Sequence, residues 1–222
     1  MDTLREETFT AVHRTQETRA CFAAAGTPLF REGAPAFGPL IVLEGWAFRY
    51  KSLADGRRQI LGYFLPGDII GFQSVLFPVL DHGVEALTAV RYSAVSLGRL
   101  LSEGFFGDSH NPVTALARFA AAQERDHDEQ MLTLGRRSAL ERLAFVVLTL
   151  SQRVRALGLA RDNRIEFPLT QQHLADTLGL SLVHTNKTLR RLTDSDCIAW
   201  KGRILSVRDS ARLAEIAGLS AA

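Results

Sequence analysis

The run Val183, His184, Asn186, Lys187, Arg190 and Arg191 carries side chains of the kinds that read nucleic acid. An asparagine can bond adenine at two atoms, and a lysine can reach the O6 and N7 acceptors of guanine. His184 and Arg190 suit phosphate contact as much as base contact, and Arg191 is expected at the rim. Such residues work only if one rigid element presents them together. Thr170 is a good helix N-cap, with Gln171 and Gln172 in the first turn and Leu174 and Leu178 on one face. Ala175 is small where two helices would cross, and Gly179 can take the left-handed conformation that ends a helix in a sharp turn. Ser181 then caps a second helix, for which Leu182, Leu189 and Leu192 are the expected apolar side. That pattern predicts a helix-turn-helix whose second helix enters the DNA major groove. Ile198 to Trp200, a Lys201-Gly202-Arg203 turn and Ile204 to Val207 predict a hairpin, so the module is winged. Thr170, Lys201 and Arg203 join the candidate DNA contacts.

Charge is placed to match. The net charge of +2 hides an asymmetry: residues 136–222 carry 14 Lys and Arg against 8 Asp and Glu, and the rest of the chain is −4. The basic excess lies on the half that would meet phosphates. The start, MDTLREETF, is acidic and is not a signal peptide, and no run approaches the roughly 18 to 20 apolar residues of a membrane span. Cys21 and Cys197 are too few for a disulfide framework. A cytoplasmic protein is expected.

The first hundred residues read as strands separated by turns. Pro39 to Leu53 is one long strand-like run, Asp55-Gly56 a hairpin turn, and Arg57 to Leu65 the return strand. Pro66-Gly67-Asp68 is a further turn, and Glu85 to Leu97 alternates again. This spacing predicts a β-jelly roll over 1–110. A helix follows over 111–135, starting at Asn111-Pro112. Val113, Leu116, Ala120, Gln123, His127, Gln130 and Leu134 recur at spacings of 3 and 4, the a/d period of a dimer seam. A surface stripe on one helix is the competing reading. Gly135-Arg136-Arg137 is the expected hinge, and residues 136–222 form the winged helix-turn-helix domain. Its support helix runs from Ser138 to Leu157 through Leu140, Leu143, Val147, Leu148 and Leu150. The fold class is α+β.

This order, with the segments RYKSLADGRRQILGYFLPGDIIGF and LGRRSALERLAFVVLTL, resembles the Crp/Fnr superfamily of bacterial transcription regulators over nearly the whole chain. The resemblance implies a homodimer on a pseudo-palindromic operator of double-stranded DNA, with RNA polymerase as a further partner. The recognition segment VHTNKTL is similar to a branch with a His-x-Asn-Arg/Lys motif. Val183 stands where other branches have a base-reading Glu. Asn186 and Lys187 stand where they have Ser or Gly and Arg, so the usual operator does not carry over.

No cofactor is expected. Cyclic-nucleotide binders of the family carry Gly-Glu for the ribose and Arg-Ser or Arg-Thr for the phosphate. Here Phe72 follows Gly71, and Gly83-Val84-Glu85-Ala86 supplies a carboxylate that would repel a phosphate. An iron–sulfur cluster needs about four Cys ligands, and the chain has 2. Haem would draw on His82 or His110, each better read as a solvated loop residue. Cys197, between recognition helix and wing, is a candidate redox switch set against its reading as a small buried hydrophobe. A cupin-like jelly-roll enzyme would need a His-x-His pair, and His13, His82, His110, His127, His173 and His184 contain none. The effector, a small metabolite in the β-roll or none at all, is left open, as is the choice between activation and repression.

Overall fold

The computed structural model describes residues 20–100, 102, 111–161 and 164–219. The chain divides into two compact units, Met1–Arg125 and Asp126–Ala222. His110 and His13 lie outside the described residues.

The first unit is a double-sheet roll. One sheet has the strand order β1 (Cys21–Ala23), β8 (Val90–Ala94), β3 (Leu40–Glu44), β6 (Ile69–Ile70). The other has the order β2 (Pro28–Phe30), β7 (Gly83–Ala86), β4 (Ala47–Ser52), β5 (Arg58–Phe64). All pairings are antiparallel. Leu40, Val42, Ala47, Ile70, Leu80, Val84, Ala86 and Val90 fill the space between the sheets. Burying each of the Leu, Ile and Val side chains contributes about 1.5–3 kcal/mol.

Two expected strands are each broken in two. The run 39–53 is β3 and β4, and the alternation over 85–97 is β7 and β8. The breaks are one corner. Gly45 has φ 83°, outside the range of ordinary L residues. Trp46 N–H donates to Thr88 Oγ1 at 2.9 Å, and Leu87 N–H donates to the Trp46 carbonyl at 2.8 Å. Both chains change sheets there, facing each other. β-forming residues continue on both sides of the corner, so residue type alone does not mark the break. The Asp55-Gly56 hairpin forms as expected. Gly56 has φ 85°, Leu53 N–H donates to the Arg57 carbonyl at 2.8 Å, and Asp55 Oδ1 accepts from Arg57 N–H at 3.0 Å.

A short helix α1 (Leu97–Leu100) precedes the long helix α2 (Pro112–Arg136). Leu116 and Phe119 of α2 pack on Ile41, Ile69, Val95 and Leu100 of the roll. Of the expected seam, Val113, Ala120 and His127 are exposed, whereas Leu116, Gln123, Gln130 and Leu134 are half-buried by their own chain. The outward stripe is Val113, Ala117, Ala120, Glu124, His127 and Met131, still spaced by 3 and 4 but turned by about one residue. The helix also runs through the expected hinge. Gly135 and Arg136 are helical, and the break is at Arg137, immediately before the Ser138 N-cap of α3 (Ala139–Ala156).

The second unit packs α3, α4 (Gln171–Leu178), α5 (Leu182–Asp194) and α6 (Ser210–Ile216) with a three-stranded sheet. That sheet has the order β10 (Ile198–Lys201), β11 (Ile204–Val207), β9 (Arg164–Glu166). β9 is too short to show a period and was not legible in the sequence. Leu143, Val147, Leu148, Ile165, Phe167, Leu174, Leu178, Leu192, Leu205 and Leu213 form its interior.

A Cβ at Gly45 would run into the Ala89 carbonyl oxygen and sit 2.9 Å from Thr88 Oγ1, at a φ that alanine avoids. Gly45→Ala should therefore lower stability by about 2 kcal/mol or more. Urea denaturation followed by circular dichroism measures it. A loss below about 0.5 kcal/mol would show that the corner relaxes freely.

Candidate nucleic-acid interface

The helix-turn-helix is assembled by local hydrogen bonds. Thr170 Oγ1 accepts from His173 N–H at 3.1 Å, and His173 Nδ1 accepts from Thr170 N–H at 3.2 Å. Histidine thus takes the place that Glu or Gln holds in the usual capping box. Thr170 remains exposed, but its oxygen is engaged in the cap. Gly179 at φ 65° ends α4 and donates to the Ala175 carbonyl. Ser181 Oγ accepts from His184 N–H at 3.3 Å and starts α5.

The buried face of α5 differs from the expected one. It consists of Thr185, Thr188 and Leu192. Leu182 is 43% exposed, and Leu189 is only half-buried. Threonine reads as polar in a sequence, but each hydroxyl here is satisfied within the helix. Thr185 Oγ1 donates to the Ser181 carbonyl at 3.0 Å, and Thr188 Oγ1 to the His184 carbonyl at 2.9 Å. Only the methyl groups then meet the core. With that face buried, Val183, Lys187 and Arg190 point most directly outward, and His184 and Arg191 flank them. Asn186 is turned aside and half-buried.

The wing forms as expected. β10 and β11 pair from Ile198↔Val207 to Lys201↔Ile204, and Gly202 turns at φ 61°. Trp200 packs edge-on against Phe167 at 5.0 Å and donates from Nε1 to the Gly202 carbonyl at 3.1 Å. Phe167 N–H donates to the Arg203 carbonyl at 2.7 Å, which ties the wing to β9. Lys201 and Arg203 are left exposed beside the turn. Cys197 is 1% exposed beneath the wing, its Sγ 2.9 Å from Ser195 Oγ. It packs as a small core residue, and an oxidant would need the module to open before reaching it.

The module rests on two arginines. Arg142 donates to the Leu178 carbonyl at 3.0 Å and to the Arg137 carbonyl at 2.8 Å. Arg137 donates to the Ala217 carbonyl at 3.0 Å and to Thr133 Oγ1 at 2.5 Å, pairs with Glu129 at 2.6 Å, and covers the Phe145 ring at 4.3 Å.

In the roll, Gly71 has φ 69°, and the Phe72 ring after it meets Phe119 of α2 edge-on at 4.8 Å. Glu85 pairs with Arg58 at 3.8 Å, and that guanidinium lies 5.1 Å from the Phe48 ring centre and 5.6 Å from that of Tyr50. His82 is 4% exposed rather than solvated, its Nδ1 3.0 Å from Asp81 Oδ1. The hydrogen bonds from His82 and Lys51 hold the Asp81 carboxyl at a pKa of about 2. Among the described residues no group of three His, Cys, Asp or Glu side chains could hold a metal ion, and no helix is long and apolar enough to cross a membrane.

Residues 141–216 match the model of the Crp-like helix-turn-helix domain, and residues 21–103 match that of the cyclic nucleotide-binding domain. The chain is 35% identical over 177 residues to the nitrogen fixation regulation protein FixK of Bradyrhizobium diazoefficiens, covering 79% of this chain and 72% of FixK. It is 27% identical over 196 residues to the transcriptional activator protein Anr of Pseudomonas aeruginosa, covering 87% and 78%. The solved structure of FixK2 from Bradyrhizobium japonicum superposes with a TM-score of 0.78 at 28% identity, covering 92% of this chain and 98% of that one.

The base and phosphate roles expected of the exposed set can be told apart by substitution. Lys187→Ala should cost about 1–3 kcal/mol on a selected duplex and little on scrambled DNA. Arg203→Ala should weaken both alike and flatten the salt dependence by about one unit. Fluorescence anisotropy at several salt concentrations separates the two. Equal loss on both duplexes for Lys187→Ala would make it a phosphate contact.

Proposed function

The chain belongs to the Crp/Fnr superfamily of DNA-binding transcription regulators, and on that footing we propose that it acts as a cytoplasmic, non-enzymatic homodimer on a pseudo-palindromic operator. The observation that carries this reading is the recognition helix α5. Its Thr185, Thr188 and Leu192 face is buried, which leaves Val183, Lys187 and Arg190 outward beside the basic wing tip. Two copies on one duplex would place half-site centres about one helical turn, roughly 10 bp, apart. Selection of bound sequences from random duplexes, followed by titration of the recovered operator against scrambled DNA, tests it. Equal affinity for both would remove the reading. RNA polymerase is the further partner that membership of the family suggests.

The dimer surface we assign is the outward stripe of α2. Met131 is 73% and Val113 69% exposed, and the small Ala117 and Ala120 between them would let two helices approach closely. Leu116 belongs to the roll's own core. Met131→Asp should therefore shift sedimentation toward the monomer and leave thermal stability of the roll intact, because it strands a charge in the interface. Leu116→Asp should instead destabilise the roll. An unchanged dimer for Met131→Asp would place the interface elsewhere.

The roll is proposed to work without cyclic nucleotide. Phe72 is committed to Phe119, and Glu85 to Arg58. Position 72 lacks the carboxylate that would bind a ribose, and position 85 lacks the cation that would bind its phosphate. A ligand at a hundredfold excess over its dissociation constant stabilises by about 2.7 kcal/mol. Cyclic AMP and cyclic GMP at millimolar concentration should leave the melting temperature and the operator affinity unchanged. A clear upward shift with either would overturn this.

A further inference from the structure

One flank of α5, half-buried at Asn186, Leu189 and Thr193 and edged by the exposed Arg190, borders α4 and the wing. Asn186, Leu189, Arg190 and Thr193, spaced i, i+3, i+4 and i+7, line a cleft of about 230 Å³ with Gln171 of α4 and Trp200 of β10. Asn186 Oδ1 is buried there and has no hydrogen-bond partner. A buried acceptor without a donor is costly, and native proteins rarely keep one in their working state. The donors around the cleft are few. Trp200 Nε1 is bound to the Gly202 carbonyl, and the Thr193 hydroxyl is bound to the Leu189 and Arg190 carbonyls. Gln171 and Arg190 are left. Arg190 lies one helical turn beyond Asn186 on the same strip, a spacing that puts the two Cβ atoms about 5–6 Å apart. Its guanidinium also makes the stronger, charge-assisted bond.

We propose that Asn186 is a positioning residue for DNA binding: its carboxamide oxygen accepts from the Arg190 guanidinium and holds that cation toward a backbone phosphate. This rests on the DNA-binding reading above, and it moves Asn186 out of the base-reading set into which its residue type had put it. Arg190 carries several donors in a planar fork. One can serve Asn186 while others face the phosphate. A fixed guanidinium loses less freedom on binding than one swinging on a long stem.

The test is a double-mutant cycle on the full chain with Asn186→Leu, Arg190→Ala and both together, each first shown by thermal melting to be folded. Asn186→Ser, smaller and still polar, replaces the leucine variant should that one fail to fold. Each duplex is titrated at several salt concentrations, with wild-type protein on the selected and scrambled duplexes as the reference. Wild-type protein that does not distinguish the two would defeat the DNA-binding reading itself. Given that distinction, Asn186→Leu should weaken both duplexes alike by about fivefold, the order of one charge-assisted contact, and lower the salt slope as Arg190→Ala does. The double variant should be no weaker than Arg190→Ala alone. A loss confined to the selected duplex would make Asn186 a base reader and overturn the proposal. Additive losses, or coupling of Asn186→Leu to Gln171→Ala in place of Arg190→Ala, would overturn it equally.

Discussion

The face of α5 made by Thr185, Thr188 and Leu192 settles most of what the second unit can do. Once those positions are buried, the helical period leaves no choice about the rest. Val183, Lys187 and Arg190 are outward, and Asn186 and Leu189 lie on a flank against α4 and the wing. The burial is affordable because both threonine hydroxyls donate to carbonyls one turn back. Replacing either by a residue with an unsatisfied polar atom would cost about 1–3 kcal/mol and loosen the rotation of the recognition helix. Any base or phosphate contact from α5 depends on that rotation.

Arg137 does for the junction with α2 what the threonines do for α5. Its side chain is 9% exposed, yet every edge is used, by Thr133, Glu129, the Ala217 carbonyl and the Phe145 ring. A buried guanidinium without such partners would be strongly unfavourable. The last turns of α2, the start of α3 and the end of α6 therefore share one set of polar contacts. A shift of α2 at this end would have to break or carry the whole set.

In the roll the controlling constraint is the paired corner at Gly45 and Thr88. The β3–β4 and β7–β8 connections both cross between the sheets there, and the Gly45 backbone conformation admits no ordinary side chain. The roll matches a cyclic nucleotide-binding domain over residues 21–103, and its side chains at positions 72 and 85 are paired within the chain. Phe72 faces Phe119 on α2, and Glu85 faces Arg58. Position 72 thus joins the roll to the long helix through an aromatic contact.

The sequence by itself determined the features whose causes are local. The N-caps at Thr170 and Ser181, the left-handed Gly179, the Asp55-Gly56 hairpin and the wing turn each depend on hydrogen bonds or φ values within a few residues, so residue type and spacing suffice. The resemblance of segment order to a regulator family followed from the same local signals. What tertiary structure alone decided involves partners far apart in the chain. The strand run from Pro39 breaks because Gly45 meets Ala89, and Leu116 leaves the expected seam because Ile41, Ile69, Val95 and Leu100 take it up. Thr185 and Thr188 become core although they read as polar, because burial is set by what packs on a helix and by whether its hydroxyls can turn inward to the backbone. Asn186 is half-buried for the same reason: its oxygen lies in a cleft lined by Gln171 and Trp200, which residue type alone does not show.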